Sequence, residues 1–144
     1  EYYRLIQSVR DSGDWESWVL YILRGIDATA TETIILVKQI KILMQEYKVK
    51  MRNCLEKQYS HELLNNIFSH PYTKIEFVMN DIKVSRITAA KYLNKLVEHG
   101  LLEKVKMGTS NFYLNPELTR LLINHSENQN IEGFEAIESI SKMI

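Results

Sequence analysis

The side chains best placed for chemistry gather in one stretch of this chain. Arg86, Lys91, Asn94 and Lys95 fall on one face of a predicted helix, and Lys104, Lys106 and Ser110 follow soon after. Between Lys83 and Lys106 six Lys and Arg stand against two Glu, a local charge of +4 in a chain whose formal net charge is zero. Such a set suits two kinds of partner. Cations and amides on a helix meet bases and phosphates in a DNA major groove, with wing residues holding the backbone. The same face also carries Ile87 and Ala90, and a partly apolar exposed face suits a protein contact.

Other chemistries lack their parts. Five glycines are scattered singly and form no phosphate-cradling loop. His61, His70, His99 and His125 lie far apart, without the i, i+4 spacing of a helical metal pair. Cys54 stands alone, which excludes a disulfide framework and a cysteine zinc site. It has no evident base partner either, so a buried structural thiol is expected. Asp14 and Glu16 read as a helix-start pair serving the dipole rather than an acid–base couple. The sequence therefore offers no catalytic residue, no metal site and no cofactor site of its own.

The elements that must position the cationic face run from Lys74 to Leu114. Ile75, Phe77, Val78 and Ile82 predict a helix with one buried side, and Val84 plugs the following turn. Ser85 is an N-cap candidate. Ala89, Leu93 and Leu96 recur at i, i+4 and i+7, the buried face of the next helix. Gly100 ends it. Leu101 to Met107 and Asn111 to Leu114 are strand candidates, with Gly108-Thr109-Ser110 as the turn. Helix, turn, helix and hairpin make a winged helix-turn-helix with a small two-stranded wing.

The rest of the chain is helical in pattern. Tyr2, Leu5, Ile6 and Val9 form one stripe; Gly13 stops that helix and Asp14 caps the next. From Trp15 to Ala28 or Ala30 a very apolar helix is predicted, with Trp15 and Trp18 as core anchors. From Thr31 to Tyr59 there is neither Pro nor Gly, and Leu36, Ile40, Leu43, Tyr47, Met51 and Cys54 step almost as a heptad seam. That seam either packs within the chain or pairs two copies. Ser60 begins a helix with Leu63, Leu64, Ile67 and Phe68 inward, ending at His70-Pro71. Pro116 opens a short helix to Asn124 with Leu118, Leu121 and Leu122 inward; His125 to Asn130 reads as loop, and Ile137, Ile140 and Ile144 suit a last amphipathic helix or a frayed tail.

These readings give a mostly α chain of 144 residues, 45% apolar and 25% charged. Its expected parts are a helical segment over 1–59 that includes the long connecting helix, a winged-helix domain over 60–124, and a tail or short helix over 125–144. No apolar run reaches the ~18 residues of a membrane span, and the single cysteine fits a reduced, cytoplasmic setting. The chain opens abruptly on a patterned segment, as a fragment would.

Two segments together resemble the Fic family. EYYRLIQSVRDSGDWESWVLYILRGIDATATETI is similar to the stretch that closes the helical Fic core, through Tyr2, Tyr3, Leu5, Ile6, Val9, Arg10, Gly13, Asp14, Trp15, Glu16 and Trp18. SRITAAKYLNKLVEHGLLEK, from Ser85 to Lys104, resembles the winged-helix module that many multi-domain Fic proteins carry at their C-terminus. The resemblance implies a parent protein that transfers a nucleotide monophosphate, usually AMP from ATP with Mg²⁺, to a hydroxyl of a target protein, or reverses that transfer. The family's catalytic loop, His-Pro-Phe-x-(Asp/Glu)-Gly-Asn-Gly-(Arg/Lys), is absent here; His70-Pro71-Tyr72 matches only its first two letters. The inhibitory motif is absent too, since Asn128 stands where Ser or Thr must precede Glu132-Gly133. The resemblance thus implies a non-catalytic C-terminal region. Its partners would be the missing N-terminal Fic core and a protein target or second subunit docked on Arg86, Ile87, Lys91, Asn94, Lys95, Lys104, Lys106 and Ser110. The alternative is a DNA-binding regulator that uses the same residues on double-stranded DNA.

Overall fold

The computed structural model describes residues 1–126. Helix α1 (Tyr2–Ser12) ends at Gly13, whose left-handed backbone (φ 71°) lets its N–H donate to the Val9 carbonyl. Asp14 then caps α2 (Trp15–Leu55), its carboxylate accepting from the Ser17 N–H at 3.2 Å. Hydrogen bonds from Ser17 hold that carboxyl below the usual carboxylate range.

The two helices expected over 15–59 are one. Nothing between Ala28 and Thr33 breaks the backbone, because Gly and Pro are absent there. The Thr29 and Thr33 hydroxyls donate back to the carbonyls of Gly25 and Thr29, so these residues are accommodated within the helix. The helix stops at Leu55 rather than Tyr59, and a 3₁₀ turn (Glu56–Gln58) follows with Glu56 at φ 51°.

Backbone contacts divide the chain into two compact units, Glu1–Lys38 and the residues from Gln39 onward. In the first unit Leu5 is the one buried residue. Tyr2 meets Trp18 edge-on at 4.9 Å between ring centroids. The expectation that both tryptophans anchor a core does not hold within this chain: Trp18 is half-buried, and Trp15 is 62% exposed. Val19, Leu23, Ile26, Ile34 and Val37 are exposed as well. A helix of this composition needs cover on more than one face, and the residues of this unit supply too little.

The second unit is a winged helix built onto the end of α2. Its order is α3 (His61–Ser69), β1 (Tyr72–Thr73), α4 (Ile75–Ile82), α5 (Arg86–Glu98), β2 (Glu103–Met107), β3 (Ser110–Leu114) and α6 over 116–126. The seam on α2 turns inward here. Tyr47, Met51 and Leu55 are buried with Leu63, Leu64, Ile67, Val78, Ala89, Leu93, Leu96, Leu101, Leu102 and Tyr113, while Leu43, Cys54 and Val84 pack at the margin. Residues 39–59, assigned by sequence to the N-terminal segment, thus contribute a wall of the winged-helix core. Phe77, expected inward, lies at the surface; Val78 takes the core position on α4.

Local chemistry fixes the element ends. Ser60 accepts from the Leu63 N–H at 3.1 Å and Ser85 from the Thr88 N–H at 3.2 Å, the two N-caps expected from sequence. α4 ends on Lys83 in the left-handed conformation (φ 59°), its N–H donating to Met79. β2 and β3 pair antiparallel with Val105 opposite Phe112 and Met107 opposite Ser110. Only Gly108 and Thr109 form the turn, Gly108 at φ 62°, so Ser110 belongs to β3. The sheet has three strands rather than two, in the order β1-β3-β2. The third arises because Asn115 N–H donates to the Pro71 carbonyl at 2.8 Å, beside the Tyr72–Leu114 pair. His125 and Ser126, read as loop, continue α6; the other expectations for 127–144 lie outside the described residues.

Candidate protein-docking surface on α5 and the wing

α5 turns Ala89, Leu93 and Leu96 fully inward, and the 100° step then sets Ile87, Ala90, Lys91 and Asn94 on the opposite side. Ile87 is 83% exposed. Lys91 is exposed, Ala90 and Asn94 half-buried. The wing lies along this side. At its base Asn94 Oδ1 accepts from the Tyr113 hydroxyl at 3.3 Å and from Lys104 Nζ at 3.5 Å. At its tip Ser110 lines one polar cleft with Arg86, Lys74 and Glu76.

Asn94 and Lys104 thus meet at the base of the wing, Lys106 stands two residues on along the same strand, and Ser110 shares the tip cleft with Arg86. Ile87 and Lys91 lie on the same side of α5 as Asn94; Lys95 leaves that side. Lys95 reaches the other way: its ammonium donates to the Cys54 carbonyl at 3.2 Å and so holds a carbonyl near the C-terminal end of α2. Asn94 and Lys104 are on the surface but occupied, since they tie α5 to the wing, and Lys104 also lies 5.6 Å over the Tyr113 ring. Arg86 faces Glu76 at 3.8 Å in an exposed pair, a contact worth little in water. Lys91 and Lys106 stand exposed. The surface holds an exposed isoleucine flanked on α5 by Arg86 and Lys91, with Glu76 beside Arg86, rather than a continuous basic track.

Two buried polar nodes stand behind it. Asn115 caps α6 by accepting from the Leu118 N–H at 3.1 Å, accepts the Tyr47 hydroxyl at 3.0 Å and donates to the Ile67 carbonyl at 3.3 Å. The Leu101 carbonyl lies 3.1 Å from the same hydroxyl, so the two acceptors share its one proton, and burial pushes the Tyr47 pKa up to about 12. Asn66 links the Thr73 hydroxyl to the Asp81 carboxylate. Sequence reasoning missed both nodes. Asn115 before Pro116 and Glu117 has the pattern of a helix N-cap, and that signal was readable; the long-range partners were not.

Reactive groups are quiet. Burial pushes the Cys54 thiol up, away from the thiolate that reacts. Among the described residues no three His, Cys, Asp or Glu side chains gather as metal ligands, and no helix is long and apolar enough to cross a membrane.

Comparison with known protein families matches residues 43–118 to the family described as "Protein adenylyltransferase SoFic-like, C-terminal domain". The match covers more than half of the chain. It begins on the inward-facing stretch of α2 and ends in the first turn of α6, so it takes in the core of the second unit and the surface just described. The Tyr-Tyr and Gly-Asp-Trp-Glu motifs of the N-terminal unit fall outside it. This chain belongs to the SoFic-like C-terminal domain family and is a C-terminal portion of a Fic-family protein.

Proposed function

We propose that the chain is the non-catalytic C-terminal region of a Fic-type protein adenylyltransferase, and that its winged helix docks a protein, either the enzyme's target or a second subunit. Nucleotide transfer, with ATP and Mg²⁺, is assigned to a Fic core encoded outside these residues, because the sequence lacks the family's catalytic loop. One observation carries the docking reading: Ile87 is 83% exposed in the first turn of α5, on its outward side, while Lys95 is withdrawn from that side. An exposed isoleucine flanked by cations has the anatomy of a protein contact, with its apolar centre and charged edge.

The N-terminal unit supports the family reading in its own way. Leu23, Ile26 and Ile34 are exposed along α2, and around Gly25 there is open space. Small Gly25, Thr29 and Thr33 line the same side as Ile22 and Ile26. Such a side admits another helix at close approach, and in this proposal the Fic core supplies that helix.

The test uses the intact enzyme. Ile87→Asp is expected to abolish modification of protein targets in the presence of ATP and Mg²⁺ while self-modification continues. Unchanged target modification and unchanged oligomeric mass would sink the docking reading. The second reading, duplex DNA, draws on exposed Arg86, Lys91 and Lys106. Tight duplex binding that falls steeply between low and moderate salt, and that Arg86→Ala with Lys106→Ala removes, would establish it instead.

A further inference from the structure

We infer that the α5–wing surface has an occupant within the chain itself, the acidic C-terminal segment 127–144, which covers Ile87 and the cations beside it in competition with an external partner. The inference rests on the docking reading above and names what regulates that surface.

Three observations meet. The first is charge. The surface presents exposed Lys91 and Arg86, the latter facing Glu76 at 3.8 Å, next to an exposed Ile87 on α5, and exposed Lys106 on the wing. Segment 127–144 carries Glu127, Glu132, Glu135 and Glu138 against the single Lys142. Carboxylates spaced among apolar side chains are the chemistry that an isoleucine beside cations selects. The second is composition. Between those carboxylates stand Ile131, Phe134, Ile137 and Ile140, and residues of this kind gain free energy wherever they leave water. The third is the point of departure. Ile123 and Asn124 near the end of α6 share one cleft with Glu103 and Leu114 at the base of the wing. Lys104, the next residue on β2, bonds to Asn94 of α5. The segment therefore leaves the described structure close to one end of the surface it would cover. Fully extended, it reaches up to ~60 Å, ample to cross α5.

Tethering makes weak contacts count. A covalent tether to a nearby surface sets an effective concentration that reaches the order of mM, so the segment competes with any external ligand present at lower concentration. Because the attraction is between exposed charges, added salt weakens it.

The experiment is amide NMR on the full chain, compared with a chain ending at Ser126 and with full-length E132K/E135K/E138K. The expected result is a shared set of resonance shifts at Ile87, Lys91, Lys104, Lys106 and Asn111 in both altered chains. A synthetic 127–144 peptide added to the shortened chain should reverse those shifts, less so in 0.5 M salt, and the triple-Lys peptide should not. Shifts confined to residues next to the cut, or peptide-induced shifts at the Trp15 and Trp18 indoles instead, would overturn the inference. If the α5–wing resonances do not move and Ile87→Asp still abolishes target modification, the docking reading stands and this one falls.

Discussion

Helix α2 has two halves with opposite fates. From Trp15 to Lys38 its apolar side chains are largely exposed, Trp15 and Ile26 to 62% and 60%. From Gln39 to Leu55 the same helix buries Tyr47, Met51 and Leu55 almost completely. The composition of the halves is similar in kind, so hydrophobicity is not what separates them. The difference is what the chain places beside each. The second half has α3, α5 and the sheet to complete its core; the first has only α1, and Leu5 alone is buried there. A helix is stabilised in water mainly by the packing of its apolar face. The C-terminal unit is thus a finished core, and the N-terminal unit leaves most of its apolar side chains exposed.

The contrast can be broken most directly by deleting side chains on each side of it. Leu93→Ala empties a fully buried position on α5 and is expected to cost about 2–5 kcal/mol. Urea unfolding followed by circular dichroism reads this, and a loss under 1 kcal/mol would mean the core is less well packed than it looks. Asn115→Ala comes next. It leaves the Leu118 N–H and the Ile67 carbonyl short of a partner, while the Tyr47 hydroxyl keeps only the Leu101 carbonyl, at about 2–3 kcal/mol by the same measurement.

Tyr47→Phe removes the hydroxyl proton shared by the Leu101 carbonyl and Asn115 and should cost about 1 kcal/mol. It also carries a pH signature. The folded pKa is raised to about 12, above the ordinary value of 10.0. The native state therefore holds its proton longer than the unfolded chain, and the stability this contributes is complete below pH 10 and lost as pH rises toward 12. In the Phe variant that part of the alkaline fall in melting temperature should be missing; an identical fall in both proteins would contradict the assignment.

Lys83→Gly should work in the stabilising direction. Lys83 holds a left-handed backbone at φ 59°, which costs an ordinary residue roughly 1 kcal/mol and glycine almost nothing. A rise in the unfolding midpoint equivalent to about 0.5 kcal/mol is expected, net of the extra entropy glycine brings to the unfolded chain. The smallest effect belongs to the exposed half of α2. Trp15→Ala should shift the stability of this chain by no more than about 0.5 kcal/mol. In the intact enzyme the same change should weaken attachment to the Fic core, measured by limited proteolysis near Gly13. A large destabilisation of the isolated chain would show that the tryptophan packs here after all, and the contrast between the halves would dissolve.

Much of the architecture was legible because local chemistry dictated it. Asp14, Ser60 and Ser85 cap helices through their own side chains, Gly13 and Gly100 supply left-handed stops, and the 89, 93, 96 spacing set the inward face of α5. Those signals act within one or two turns. The same patterns show that Ile87 and Lys91 share a face. What the pattern misjudged was every choice between partners. Trp15 and Trp18 have the composition of core anchors, yet among the described residues no element covers Trp15, which is 62% exposed. Lys95 reads as a member of the cationic face, but its flexible stem lets it turn to the Cys54 carbonyl. Phe77 yields the core site on α4 to Val78.

The sequence by itself determined where helices start and stop, which face of each is apolar, and the membership of a Fic-related family. Those properties follow from residue type and short-range spacing. Tertiary structure alone decided that the seam at the C-terminal end of α2 serves the winged-helix core. It alone added β1 to the wing, gathered Tyr47 and Asn115 into one buried node, and left Ile87 bare. Each of these depends on contacts between residues far apart in the chain, and only packing in three dimensions brings such residues together.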